Sequence, residues 1–217
     1  MGELDGRTSI VTGGKGGIGP ASAVQLAEKG SHVLVIGRGE AGVEAAIETT
    51  EAHFDRTVAV NVRGTVLTVQ KALPLLDDGA SVVLVGSTAA ERGMEGFGAY
   101  AAPKAAVCSF ARTWSAELKT RGIRVNVISP AWIQTPGGTA VLGDEEAARA
   151  MRAHVAATVP KGRMGRPEEA AAVVTFLASD PQQLRGRREL LRRRRREPDM
   201  SGRAAVPRRV PCERSWP

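Results

Sequence analysis

The sequence predicts an α/β fold: a parallel sheet with helices on both faces. Three observations predict it. Apolar runs of strand length alternate with Ala-rich stretches of helical length. The first run, Ser9-Ile10-Val11-Thr12, passes through a glycine-rich turn directly into a helix. The run Ser81-Val82-Val83-Leu84-Val85-Gly86 is apolar throughout its interior, as a parallel strand covered on both faces requires.

The elements follow in order. The turn Gly13-Gly14-Lys15-Gly16-Gly17-Ile18-Gly19 opens a helix that ends at Gly30. His32-Val33-Leu34-Val35-Ile36 is the second strand. A helix is expected over 41–47, and Thr50-Glu51-Ala52-His53-Phe54-Asp55-Arg56 is again helical. No Gly or Pro lies between Glu44 and Arg63, so a nearly continuous helix is expected, or one with a short break near Thr49-Thr50. After strand 81–86 comes a helix over 100–121, closed by Gly122 as a left-handed cap. The next strand covers 123–128. Asp144 caps a helix through 157, which Pro160 stops, and Pro167 opens a last helix through 178. No internal repeat is visible.

Chemistry concentrates at the chain's only tyrosine, Tyr100, four residues before Lys104. That spacing places both side chains on one helix face. A free phenol titrates near pH 10, and a close ammonium lowers that value toward the range of an acid-base catalyst. A Tyr-x-x-x-Lys match by itself also describes an ordinary surface pair. Ser87 lies at the C-terminal end of the strand before it, where open α/β sheets bind ligands. The glycine-rich turn lets backbone N–H groups approach a pyrophosphate at a helix N-terminus. Its register is open: Gly14, Gly16 and Gly19 match G-x-G-x-x-G, while Thr12, Gly13, Gly17 and Gly19 match T-G-x-x-x-G-x-G. A phosphate-binding P-loop is excluded, because the lysine does not follow G-x-x-x-x-G.

These residues resemble the short-chain dehydrogenase/reductase family, classical type. The resemblance is carried by Thr12-Gly13-x-x-x-Gly17-Ile18-Gly19, Asn61-Val62-Arg63-Gly64, Ser87, and Tyr100 with Lys104. Arg124-Val125-Asn126-Val127-Ile128-Ser129-Pro130 and Gly162-Arg163-Met164-Gly165-Arg166-Pro167-Glu168-Glu169 complete it. It implies a Rossmann-like sheet, a nicotinamide cofactor, and a small carbonyl or alcohol substrate. In the implied roles Tyr100 is the general acid/base, and Lys104 lowers its pKa and holds the nicotinamide ribose. Ser87 hydrogen-bonds the substrate oxygen, and Asn61 supports a water in a proton relay through Lys104. Thr12, Gly13, Gly17, Ile18 and Gly19 would cradle the cofactor, with Ile133 and Thr135 at its carboxamide. An acid after the second strand would favour NAD. Gly37 and Arg38 stand there instead, so NADP(H) is expected over NAD(H), with Arg38 at the 2′-phosphate. Trp132, Met151, Met94 and Phe97 are candidates for an apolar substrate wall.

The chain departs from the family in two places. Strands three and four, with the helix between them, are missing near 47–50, together with the Asn-Asn-Ala-Gly turn that borders the cofactor. If the helix there is continuous, the strand before Ser87 must pair directly with the first strand or leave a gap. Strand seven is missing too. The Rossmann-like domain therefore ends near 181, and residues 182–217 form an Arg- and Pro-rich tail, expected to be disordered. That tail holds twelve Arg and four acids, a balance of +8 against +7 for the whole chain. The preferred reading of the tail is a shifted reading frame. The others are a basic arm for a polyanion and a plain disordered tail. With no aromatic but Trp216 in the tail, a nucleic-acid partner is not expected.

No run is long enough to span a membrane, no signal-peptide pattern opens the chain, and Cys108 and Cys212 have no disulfide-like spacing. A cytoplasmic protein is expected. The three histidines are scattered, and no metal site is expected. The resemblance implies a homo-oligomer, which the loss of strand seven puts in question. The rival functional reading is a non-catalytic remnant, the product of a rearranged gene.

Overall fold

A computed structural model describes residues 2–13, 16–36, 51–92, 96–135 and 145–179. The described elements are β1 (Thr8–Thr12), α1 (Ile18–Glu28), β2 (His32–Ile36), α2 (Glu51–Val58), α3 (Gly64–Ala72), β3 (Ser81–Val85), α4 (Gly98–Glu117), β4 (Arg124–Ile128), α5 (Glu145–Thr158) and α6 (Pro167–Ala178). The expected strands are present, each five residues long. The helix expected over 41–47, the break at 49–50, Asp144 and the tail lie outside the described residues.

Every strand pair is parallel, as the alternation of strands and helices requires. β1 pairs with β2 from Thr8↔His32 to Thr12↔Ile36. β3 pairs with β4 from Ser81↔Arg124 to Val85↔Ile128. The fold is Rossmann-like α/β, but the expected single sheet is two two-stranded sheets, and β3 does not pair with β1. Of the two alternatives for the shortened chain, the gap is observed. The reason is local: from Glu51 to Leu75 the backbone is helical without interruption, so it supplies no strand between them. In that helical run α2 passes through one wide π turn, Ala59–Arg63, into α3. Apolar side chains on the strands are accordingly left in solvent, Ile10 at 39% and Val85 at 40% exposure.

Each sheet carries its own core. On one, Leu84, Val125 and Val127 pack against Val107, Cys108 and Ala111 of α4. On the other, Leu4, Val11 and Leu26 form a small cluster with Val33 and Ala178 at its edge. The helix α6 joins the two. It packs along α1 and also touches β3 and β4. The Ser81 hydroxyl donates to the Leu177 carbonyl at 2.9 Å. The buried Arg124 guanidinium donates to the same carbonyl at 2.7 Å and to the Ser179 carbonyl at 3.2 Å. A cation at these C-terminal carbonyls also meets the negative end of the helix dipole. A helix therefore does the bridging that a central strand does in a complete sheet.

Two expectations about α4 shift slightly. It begins at Gly98, so Pro103 falls in its second turn instead of its first, and the Ala99 carbonyl loses its helical donor. Its C-terminus tightens into a short turn, Leu118–Arg121, and ends as expected at Gly122 with φ +63°.

Candidate active site

The site grows from the C-terminal end of β3. Parallel pairing continues past the strand, with Gly86 N–H donating to the Ile128 carbonyl at 2.8 Å and Thr88 N–H to the Pro130 carbonyl at 3.1 Å. Gly86 sits in a crowded place. A Cβ at this position would lie 3.0 Å from Val127 Cγ1, 3.1 Å from Ser129 Oγ and 3.2 Å from Cys108 Sγ. The next residue, Ser87, is extended, and its Oγ accepts the Ala89 N–H at 3.2 Å. The chain then returns as α4, whose first turn carries Tyr100. The Ser87 hydroxyl lies close enough to Tyr100 to act on the phenol and lower its pKa. One turn further, Lys104 Nζ lies 5.7 Å from the centre of the Tyr100 ring. Three of the four expected catalytic side chains are thus together.

The expected electrostatics of the pair are not what the structure shows. Lys104 donates its proton to the Val85 carbonyl at 3.0 Å and faces the Tyr100 ring, not its oxygen. Burial pushes the Tyr100 phenol above its ordinary value, and the Ser87 hydrogen bond pulls it only partly back. Burial also pulls the Lys104 ammonium below its ordinary value, opposed by Cys108. Without a ligand Tyr100 is therefore a half-buried, neutral hydroxyl, and the expected lowering of its pKa by Lys104 is absent. A folded value above the unfolded one means that the unfolded chain loses this proton first. This contribution to stability is whole below about pH 10 and is lost as the pH rises through the folded value. Tyr100 is the sole tyrosine, so its absorbance titration reports on it alone. We expect a midpoint above 10 in the ligand-free protein and a lower one with NADP⁺ bound. Equal midpoints at the ordinary phenol value would contradict both parts.

Asn61 is the fourth residue. It sits in the π turn, which packs on α4, and such turns often mark functional positions. Its side chain donates to the Thr57 carbonyl at 3.1 Å, and its own carbonyl accepts the Thr65 hydroxyl at 2.8 Å. Among the described residues no hydrogen bond links it to Lys104. The structure brings its helix to the site without joining it to the other three.

The expected cofactor residues lie on two segments. Thr12 ends β1, Gly13 has φ +75°, and Gly17 has φ +66° immediately before Ile18 and Gly19 begin α1. Both glycines take a conformation that a side chain would strain. The α1 N-terminus is capped by Gly17, which brings no side chain, and has no acid in its first turn, a setting that suits an anion. After β4, Ile133 bridges to Gly165, and Gln134 N–H donates to the Gly165 carbonyl at 2.8 Å. The two segments meet: a Cβ on Gly17 would lie 2.5 Å from Thr135 Cγ2. Arg38 and Met94 lie outside the described residues. Trp132, Met151 and Phe97 are half-buried.

Sequence reasoning quoted Arg124, Arg163 and Glu169 only as parts of motifs, and their roles appear in the structure. Arg163 grips Glu169 with two bonds of 2.8 and 2.9 Å, and Glu169 also accepts the Arg166 N–H at 2.7 Å at the start of α6. This holds the Glu169 carboxyl well below the usual carboxylate range. Among the described residues no group of three His, Cys, Asp or Glu side chains gathers to hold a metal, and no helix is long and apolar enough to cross a membrane.

Comparison with known proteins decides the family. A family model described as enoyl-(acyl carrier protein) reductase matches residues 39–184. Oxidoreductase asL5 of Sarocladium schorii is 31% identical, over 81% of this chain and 90% of its own. Human dehydrogenase/reductase SDR family member 4 is 27% identical, over 82% of each chain. The chain belongs to the short-chain dehydrogenase/reductase family.

Among solved structures, a putative NAD(P)-dependent gluconate 5-dehydrogenase from Beutenbergia cavernae, with NADP bound, superposes at a TM-score of 0.71. It is 25% identical and covers 84% of this chain and 93% of its own. This short-chain dehydrogenase/reductase is thus an oxidoreductase-family protein with the family's fold and, among the described residues, a reduced set of strands.

Proposed function

We propose that this short-chain dehydrogenase/reductase interconverts a small carbonyl and its alcohol with NADP(H), in the cytoplasm. The observation that carries the reading is the Ser87–Tyr100 hydroxyl pair with Lys104 one turn away, at the C-terminal end of a parallel strand. Bound nicotinamide would supply the hydride. The chain's own residues do the rest. Ser87 and Tyr100 present two convergent hydroxyls that polarise a carbonyl oxygen. Tyr100, protonated at neutral pH, delivers its proton to that oxygen during reduction. Lys104 would leave the Val85 carbonyl to hold a ribose and replenish the proton, with Asn61 supporting the relay. Thr12, Gly13, Gly17, Ile18 and Gly19 would hold the pyrophosphate, Ile133 and Thr135 the carboxamide, and Arg38 the 2′-phosphate. The glycine-capped α1 N-terminus and the positive φ of Gly13 and Gly17 support that fit.

One observation favours the rival, a remnant without activity: β1–β2 and β3–β4 are separate sheets. The alignment with asL5 supports the missing segment, since it runs over 228 positions while using 81% of a 217-residue chain. The homo-oligomer that the family implies stays part of the proposal.

A thermal melt with and without NADPH separates the readings. Ligand at a hundredfold its Kd adds about 2.7 kcal/mol, roughly 5–10 °C for a domain of this size. A shift of that order supports the enzyme, and a larger shift with NADPH than with NADH supports the Arg38 assignment. An unchanged melt supports the remnant.

A further inference from the structure

A concave site lies between α5 and the turn that leads into α6. Its volume is about 350 Å³, and Arg152, Arg163, Arg166 and Gln134 line it, with Ala156 and Met164 among its walls. Three arginines and a glutamine are among these lining residues, and none of them is acidic.

Two of the arginines are held in place from outside the pocket. Arg152 pairs with Glu145. Arg163 is fixed by its double contact with Glu169 and by a 2.8 Å bond to the Met164 carbonyl. Each keeps further N–H groups, because a guanidinium has five donors. Arg166 is different. Its backbone N–H engages Glu169, but its guanidinium has no ion pair among the described residues. Among the described residues the lining therefore holds one arginine without an ion pair beside two that are paired. Holding donors in advance removes part of the ordering cost of binding, and guanidiniums match the geometry of tetrahedral and planar oxyanions.

We propose that this pocket binds a compact oxyanion, a phosphate or a carboxylate. The proposal stands whether or not the chain turns over a carbonyl. The anion is either free or the charged end of a larger molecule. The second source has a structural route, because Gln134 in the pocket directly precedes Thr135, which packs on Gly17 of the glycine-rich turn.

The test is calorimetric titration of the full chain with inorganic phosphate at constant ionic strength. Wild type is compared with Arg166→Gln, Arg152→Gln and, as a control away from the pocket, Arg112→Gln. Circular dichroism melts confirm that each variant is folded. The Arg-rich tail and the glycine-rich turn are unchanged in all variants, so phosphate bound there gives identical curves. We expect saturable binding, weakened at least tenfold by Arg166→Gln or Arg152→Gln and less than twofold by Arg112→Gln. No saturable binding in wild type, or curves that neither pocket variant alters, would overturn the proposal. Because the readout is binding, a chain without oxidoreductase activity leaves this test intact. Where the site is confirmed and turnover is seen, competition between phosphate and the carbonyl substrate assigns the pocket to the substrate's charged end. Absence of competition assigns it to a free anion.

Discussion

Tyr100→Phe is expected to lower kcat/KM for carbonyl reduction by about 10²–10⁴-fold, the usual loss when a positioned acid-base group is removed. The substitution deletes one oxygen and keeps the ring. The ring's contact with Lys104 and its place in the first turn of α4 are therefore preserved. The nucleotide-dependent thermal shift should survive, because no expected cofactor contact runs through the phenol oxygen. Ser87→Ala should lose less, since it removes a hydrogen-bond donor and not the proton source. The measurement is steady-state kinetics on a responsive carbonyl, paired with the NADPH melt. A variant within threefold of the parent rate would remove Tyr100 from the mechanism, however well the site is formed.

Arg124→Met is expected to destabilise the fold by about 2–4 kcal/mol, the scale of losing charge-assisted bonds at buried partners. This corresponds to a drop of roughly 5–15 °C in Tm for a domain of this size. Arg124 is 8% exposed, and its guanidinium reaches two carbonyls at the end of α6. Methionine fills similar space without a donor. The Leu177 carbonyl keeps Ser81, while the Ser179 carbonyl loses the Arg124 bond. The expected effect is large because α6 is the element that touches both sheets. A differential melt checks it, and a change under 2 °C would mean that α6 is held by apolar packing alone.

The elements were legible in the residues for local reasons. Val125 and Val127 in the run 124–128 specify a buried strand, and every residue of β4 is buried. Gly122 marks the end of α4 because only a residue without Cβ takes φ +63° at ease. Pro167 opens α6 because its missing N–H falls in the first turn, where no helical partner exists. The Tyr100–Lys104 spacing placed both groups on one face for the same reason, the period of the helix.

The sequence by itself thus determined which segments are strand or helix, which family they belong to, and which side chains gather at the end of β3. Tertiary structure alone decided the strand pairing and the partner of Lys104. Whether β3 joins β1 depends on what stands between them, and among the described residues the stretch from Glu51 to Leu75 is helical and supplies no strand. Whether Lys104 serves the phenol oxygen or the Val85 carbonyl depends on which acceptor lies within reach once both groups are desolvated, and here it is the carbonyl. Spacing along a chain carries local geometry. It carries neither the edges that remain open nor the competition among acceptors, because both are properties of the packed molecule.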